Sequence, residues 1–115
     1  MVLGASTNPS RYSYKAIERL SAKGHEVIAV SLKKGKVAGV ELQKAEEDYE
    51  DVDTITLYLS PKNQEPYYDY ILKQKPNRVI FNPGTYNENL IEKLDQQNIE
   101  CLDACTLVML SNNLY

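Results

Sequence analysis

Histidine occurs once, tryptophan not at all and cysteine twice in these 115 residues. A lone histidine, His25, cannot build a His-based catalytic triad or a multi-histidine metal site. Cys101 and Cys105 are too few for a disulfide scaffold, and their CxxxC spacing matches no common redox or zinc signature, so both are expected as reduced thiols. Long apolar runs are missing too: Ile55 to Leu59 and Leu107 to Leu110 fall far short of the ~20 residues that span a bilayer. No basic, apolar and small-residue leader opens the sequence, and a soluble cytoplasmic protein is the expectation. Cations are in deficit, with 13 Lys plus Arg against 16 Asp plus Glu and a net charge of −3. That balance argues against a chain that coats nucleic acid or an anionic membrane, so any anion site has to be local.

What is present is enough apolar material, 43% of the residues, for one domain that buries roughly two-thirds of its unfolded surface without metal or disulfide staples. Short apolar runs alternate with amphipathic stretches, the pattern of parallel strands joined by crossover helices. Strands are expected at Val2 to Gly4, Glu26 to Val30, Val40 to Leu42, Thr54 to Leu59, Arg78 to Phe81 and Ile99 to Leu102. A first helix over Ser13 to Lys23 places Ala16, Ile17 and Leu20 on one face, with Ser10 or Ser13 as N-cap and Gly24 as its stop. Ser31 to Gly39 reads as a loop and Ala45 to Tyr49 as a brief helix. A helix over Asn63 to Lys75 is compatible with Pro66 only if that proline lies in its first turn. Asn87 is expected to cap a helix that turns Leu90, Ile91 and Leu94 inward. Ala104 to Leu110 is apolar enough for burial, as helix or strand. The fold class is therefore α/β: a three-layer, Rossmann-like domain over residues 1–115, whose mainly parallel sheet has five or six strands in the order 3-2-1-4-5-6.

In such a sheet, ligands bind beyond the carboxyl ends of the strands, where the strand order reverses. The segment after the first strand, Gly4-Ala5-Ser6-Thr7-Asn8-Pro9-Ser10-Arg11-Tyr12-Ser13, is a turn of small and polar residues running into a helix N-terminus. Such a turn can offer backbone N–H groups to a phosphate, and Arg11 adds a fork of donors. It is neither GxGxxG nor a P-loop, and an ordinary strand-to-helix turn is an equally good reading of the spacing alone. After the second strand, Ser31-Leu32-Lys33-Lys34 puts lysines where an NAD-binding chain would carry a carboxylate, which favours a phosphorylated ribose; for any one of Lys33, Lys34 and Lys36 a solvated loop is the bland alternative. Leu59-Ser60-Pro61 and Asn82-Pro83-Gly84 are small turns that let a long ligand lie against backbone.

Taken in order, VLGASTNPSRYSYKAIERLSAKGHEVIAV, Leu59-Ser60-Pro61, the FNPGT turn and Asp103-Ala104-Cys105 resemble the stand-alone CoA-binding domain proteins. Those are single-domain and Rossmann-type, similar to the CoA-binding domain of the succinyl-CoA synthetase alpha subunit. The resemblance covers essentially the whole chain and implies coenzyme A, or a short acyl-CoA, as the ligand. It implies that Gly4, Ala5, Ser6 and the Arg11, Tyr12, Ser13 segment hold the pyrophosphate, with Ser31 and Lys33 near the adenosine and its 3′-phosphate. Leu59, Ser60 and Pro61 would line the adenine and pantetheine path, and Asn82, Pro83 and Gly84 its far end. The chain departs from the family pattern at Ser31-Leu32, where Asn-Pro is common, at Asn82, where Gln is usual, and at Ala104, where Arg often stands.

No catalytic constellation is visible. His25 belongs to the end of the sheet opposite the expected site. Cys105 is placed near the site by the resemblance, where an exposed thiolate could form a mixed disulfide with CoA; a small buried hydrophobe is its bland alternative. Asp103 caps the last helix or positions a ligand amide. Tyr67, Tyr68 and Tyr70 are expected to cover the sheet, and the cluster Glu46, Glu47, Asp48, Glu50 and Asp51 to form a solvated face. The leading expectation is a non-catalytic binder of CoA, monomeric or weakly dimeric, with no metal. Two alternatives are an enzyme using NADP, with Lys33 or Lys34 on the 2′-phosphate, and a ligand-free interaction module working with a partner subunit.

Overall fold

The computed structural model describes residues 1–115. In chain order its strands are β1 (Val2–Leu3), β2 (Ala29–Val30), β3 (Lys36–Val37), β4 (Val40–Gln43), β5 (Thr54–Leu57), β6 (Arg78–Phe81) and β7 (Glu100–Asp103). The helices are α1 (Tyr12–Ala22), α2 (Pro61–Gln64), α3 (Tyr68–Gln74), α4 (Glu88–Asp95) and α5 (Thr106–Ser111). One sheet carries all strands in the order β3-β4-β2-β1-β5-β6-β7. Every pairing is parallel except β3 with β4. The six parallel strands are the six expected, in the expected order; β3, antiparallel at the β4 edge, makes a seventh, one more than the five or six expected. The chain leaves β1 to one side through β2 and β4 and to the other through β5, β6 and β7, so the strand order reverses at β1/β5.

Successive residues of a strand face opposite sides of the sheet, and here each side meets its own helices. Leu3, Val30, Ile55, Leu57, Val79 and Phe81 pack with Ile71 of α3 and Leu90 and Leu94 of α4. Val2 and Ala29 turn the other way, onto Ile17 and Leu20 of α1 and Leu110 of α5. Most of these side chains are fully buried, each contributing about 1.5–3 kcal/mol relative to exposure. The result is three layers with the strand ends free at one edge.

Five local expectations are corrected. Ser31 to Gly39 is not all loop, because Lys36–Val37 pairs antiparallel with β4 through a two-residue turn in which Ala38 (φ 50°) and Gly39 (φ 80°) are both left-handed, the geometry that suits a tight hairpin. Residues 45–49 form turns rather than a helix. The single helix over 63–75 is broken into α2, a 3-10 turn at Glu65–Tyr67 and α3, since Pro66 has no N–H to continue a helix whose first residue is already Pro61. The N-cap of α1 is Arg11, with no side-chain cap; Ser10 instead bonds Asn8, and Ser13 lies buried inside the helix. Tail residues form α5, whose N-cap is Cys105 rather than Asp103. Other signals act as expected: Gly24 and His25 donate to Ser21 and Leu20 carbonyls to close α1, and Asn87 caps α4 by accepting from Leu90 N.

Candidate functional site

An elongated cleft of about 920 Å³ runs across the carboxyl ends of β2, β1, β5 and β6, within the size range of small-molecule sites. Adjacent strands lie about 4.8 Å apart, so the four ends span roughly 14 Å. The wall contains Gly4, Ala5, Ser6, Arg11, Tyr12 and Ser13 after β1, Ser31 and Lys33 after β2, Leu59 and Ser60 after β5, and Pro83 and Gly84 after β6. The first turn is held close to the sheet. Gly4 has φ +96°, and a Cβ there would sit 2.9 Å from Leu59 Cγ and 3.0 Å from the Tyr58 carbonyl carbon. Gly35 approaches the same turn from the β2–β3 side, where a Cβ would collide with Thr7 Cγ2.

The donors of that turn divide into two groups. Gly4 N and Ala5 N both donate to Val30 O, at 3.0 and 2.9 Å, so they belong to the sheet rather than to an anion. Asn8 N donates to Ser6 Oγ, Ser10 N to Asn8 Oδ1 and Arg11 N to Asn8 O. The N–H groups of Ser6, Thr7, Tyr12 and Ser13 have no hydrogen-bond partner within the protein. The last two are the first residues of α1, whose positive dipole end is left open by the missing side-chain cap. Arg11 and Lys33 are both exposed at this end of the cleft. Ser31 Oγ accepts from Lys33 N at 3.1 Å, which tightens the turn that carries the lysine.

Three expected site residues do not line the cleft. Asn82 is buried and fully engaged: its Nδ2 donates to Thr56 Oγ1 at 2.6 Å and Leu57 O at 2.8 Å, and its Oδ1 accepts from Thr106 N at 2.8 Å. It therefore caps α5 from β6, a role that sequence distance conceals. Pro61 is the first residue of α2. Cys105, half-buried, is the α5 N-cap and is not among the wall residues. Lys34 also stands outside the wall, and His25 is exposed, packed edge-on against Tyr115.

The wall also holds Thr7, Asn8, Leu32 and Thr85, from turns the sequence points to, Tyr67, which is expected to cover the sheet, and Val30, Leu42, Tyr58, Asn63 and Pro66, which carry no site expectation. Asn63, Pro66 and Tyr67 were hidden by the expectation of one continuous helix. Burial pushes the Tyr58 phenol up to about 12, so it stays protonated at neutral pH. No His, Cys, Asp or Glu lines the cleft.

This arrangement has open backbone donors and two cations at one end and uncharged walls at the other. Residues 1–111 match the CoA-binding domain family. The chain belongs to that family. The CoA-binding domain is also similar over 99% of its length to the crystal structure of an uncharacterized protein, at 51% identity and TM-score 0.96, covering 94% of that chain. Proteins from Pyrococcus furiosus (25% identity, TM-score 0.80, 93% of this chain and 94% of that one) and Pyrococcus horikoshii (24%, 0.86, 98% and 80%) share its fold. No curated protein matches it. No helix is long and apolar enough to cross a membrane.

Proposed function

We propose that this CoA-binding domain holds coenzyme A across the ends of β2, β1, β5 and β6 without transforming it. The observation that carries the reading is the set of open N–H groups at Ser6, Thr7, Tyr12 and Ser13 beside Arg11, a cradle suited to a pyrophosphate. Lys33, on the neighbouring turn, suits the 3′-phosphate. The pantetheine arm, uncharged and amide-bearing, fits the walls of Leu59, Ser60, Pro83 and Gly84. Bound CoA supplies a thiol that carries acyl groups as thioesters; the chain supplies binding and orientation. The wall's serine and tyrosine hydroxyls have no His, Asp or Glu beside them on the wall to act as a base, which favours binding over nucleophilic chemistry.

Calorimetric titration tests this directly. CoA is expected to bind and Arg11→Ala to weaken it about ten- to a hundredfold, the loss of one charged hydrogen-bonding partner. Dephospho-CoA is expected to bind wild type and Lys33→Ala equally, whereas CoA prefers wild type. Failure of millimolar CoA to bind, or indifference to both substitutions, overturns the proposal.

A further inference from the structure

We propose that the thiol end of the cleft is built for an uncharged terminus, so that the chain takes CoA or a short neutral acyl-CoA and discriminates against acyl groups that end in a carboxylate. This rests on the CoA reading above and concerns the end of the site that the pyrophosphate does not reach.

The charged side chains of the wall are Arg11 and Lys33, which follow β1 and β2. The half that follows β5 and β6 is made of neutral groups, among them Asn63, Pro66, Tyr67, Pro83, Gly84 and Thr85. The polar atoms of Thr85 are committed within the protein, and the remaining polar side chains of this half are neutral. Thr85 N and Thr85 Oγ1 both donate to Asn82 O, at 3.0 and 2.7 Å, and Thr85 O accepts from Gln64 Nε2 at 2.7 Å. The N-terminus of α4 behind this turn is already capped by Asn87. Asn63 makes no side-chain hydrogen bond within the protein, so its amide is a neutral donor suited to a thioester carbonyl. Lys62, Glu65 and Glu88 are exposed on the same two segments, none of them lines the cleft, and together they sum to negative charge. A carboxylate brought here would shed water and meet no cation, whereas a methyl or methylene terminus would meet Pro66, Tyr67 and Pro83.

The test compares butyryl-CoA with succinyl-CoA, which have four acyl carbons each and differ by the terminal carboxylate, with free CoA alongside. By calorimetry, CoA and butyryl-CoA are expected to bind within about threefold of each other and succinyl-CoA at least tenfold more weakly. Asn63→Arg, an exposed change that places a cation beside the thiol end, is expected to narrow that gap by raising the affinity for succinyl-CoA. Equal binding of succinyl- and butyryl-CoA by wild type, with CoA bound, overturns the inference and leaves the CoA reading standing. A gap that Asn63→Arg does not narrow overturns the placement of the acyl terminus. No binding of any of the three overturns both.

Discussion

Gln64 is the fully buried polar side chain on which the cleft's second half depends. Its Nε2 donates to Leu59 O at 2.8 Å and Thr85 O at 2.7 Å, and its Oε1 accepts from Asn87 Nδ2 at 2.9 Å. One amide thereby ties the turn after β5 to the turn after β6 and to the residue that caps α4. Gln64→Leu keeps the volume and removes all three bonds. At about 0.5–1.5 kcal/mol each, with buried groups left short of partners, the cost should be about 3 kcal/mol. Gln64→Glu should be worse at neutral pH, because a carboxylate would face two carbonyl oxygens, and should recover part of the loss in acid, where protonation restores one donor. Urea unfolding read as midpoint and slope measures both variants. A loss below about 1 kcal/mol for Gln64→Leu, or a Gln64→Glu no worse than it at pH 7, would refute the clamp.

Gly4→Ala combines a strained backbone with a collision against Leu59 and Tyr58 and should cost about 2 kcal/mol or more. Gly39→Ala, at φ +80° with open space around its Cβ, isolates the backbone part, and thermal unfolding that finds the two equal would contradict the packing argument. Burial, aided by the carboxylates of Asp95 and Glu100, pushes the Cys101 thiol up to about 11, so iodoacetamide at pH 7.5 should leave it unlabelled in the folded protein and label it in urea; rapid labelling when folded would be inconsistent with that. Hydrogen bonds from Thr54 (2.7 Å) and Asn77 (2.8 Å), with Arg78 nearby, hold the Asp53 carboxyl below its ordinary pKa. The stability that this carboxylate contributes is complete above about pH 5 and drains away as the pH falls through and below about 4. Asp53→Asn should flatten that acid limb modestly, since the group is exposed, and parallel wild-type and variant curves from pH 3 to 6 would count against it.

The parallel sheet was legible because its strands are short apolar runs flanked by turn residues, and because Ala16, Ile17 and Leu20 or Leu90 and Leu94 repeat at helical spacing. Misreadings arose where a second signal had to be weighed against the first. Ala38-Gly39 is a hairpin turn only because an alanine accepts φ 50°, which no local pattern announces. Pro61 and Pro66 each suit the start of a helix, and two starts within six residues mean two segments. Residues 45–49 have helix-forming composition but mostly exposed side chains, so little burial is available to stabilise so short a helix.

The site was legible to the extent that it lies at strand ends, and less so in how its atoms are used. Small residues after β1 announce an anion turn, yet which N–H groups remain open depends on what β2 does beside them. Val30 O takes the first two donors of the turn, and the open N–H groups are therefore those of Ser6, Thr7, Tyr12 and Ser13. In the same way Asn82, in a turn that looks exposed, is drawn under the sheet by Thr56 and Thr106, partners 26 and 24 residues away. On the proposed reading, the anionic end of CoA would meet backbone N–H groups and the side-chain cations Arg11 and Lys33. The far half of the cleft is shaped by the buried amides of Gln64 and Asn82, which lie behind its wall. Substitutions behind the wall, at Gln64 or Asn82, should therefore alter affinity by moving the turns, and substitutions on the wall, at Arg11 or Lys33, by removing charge.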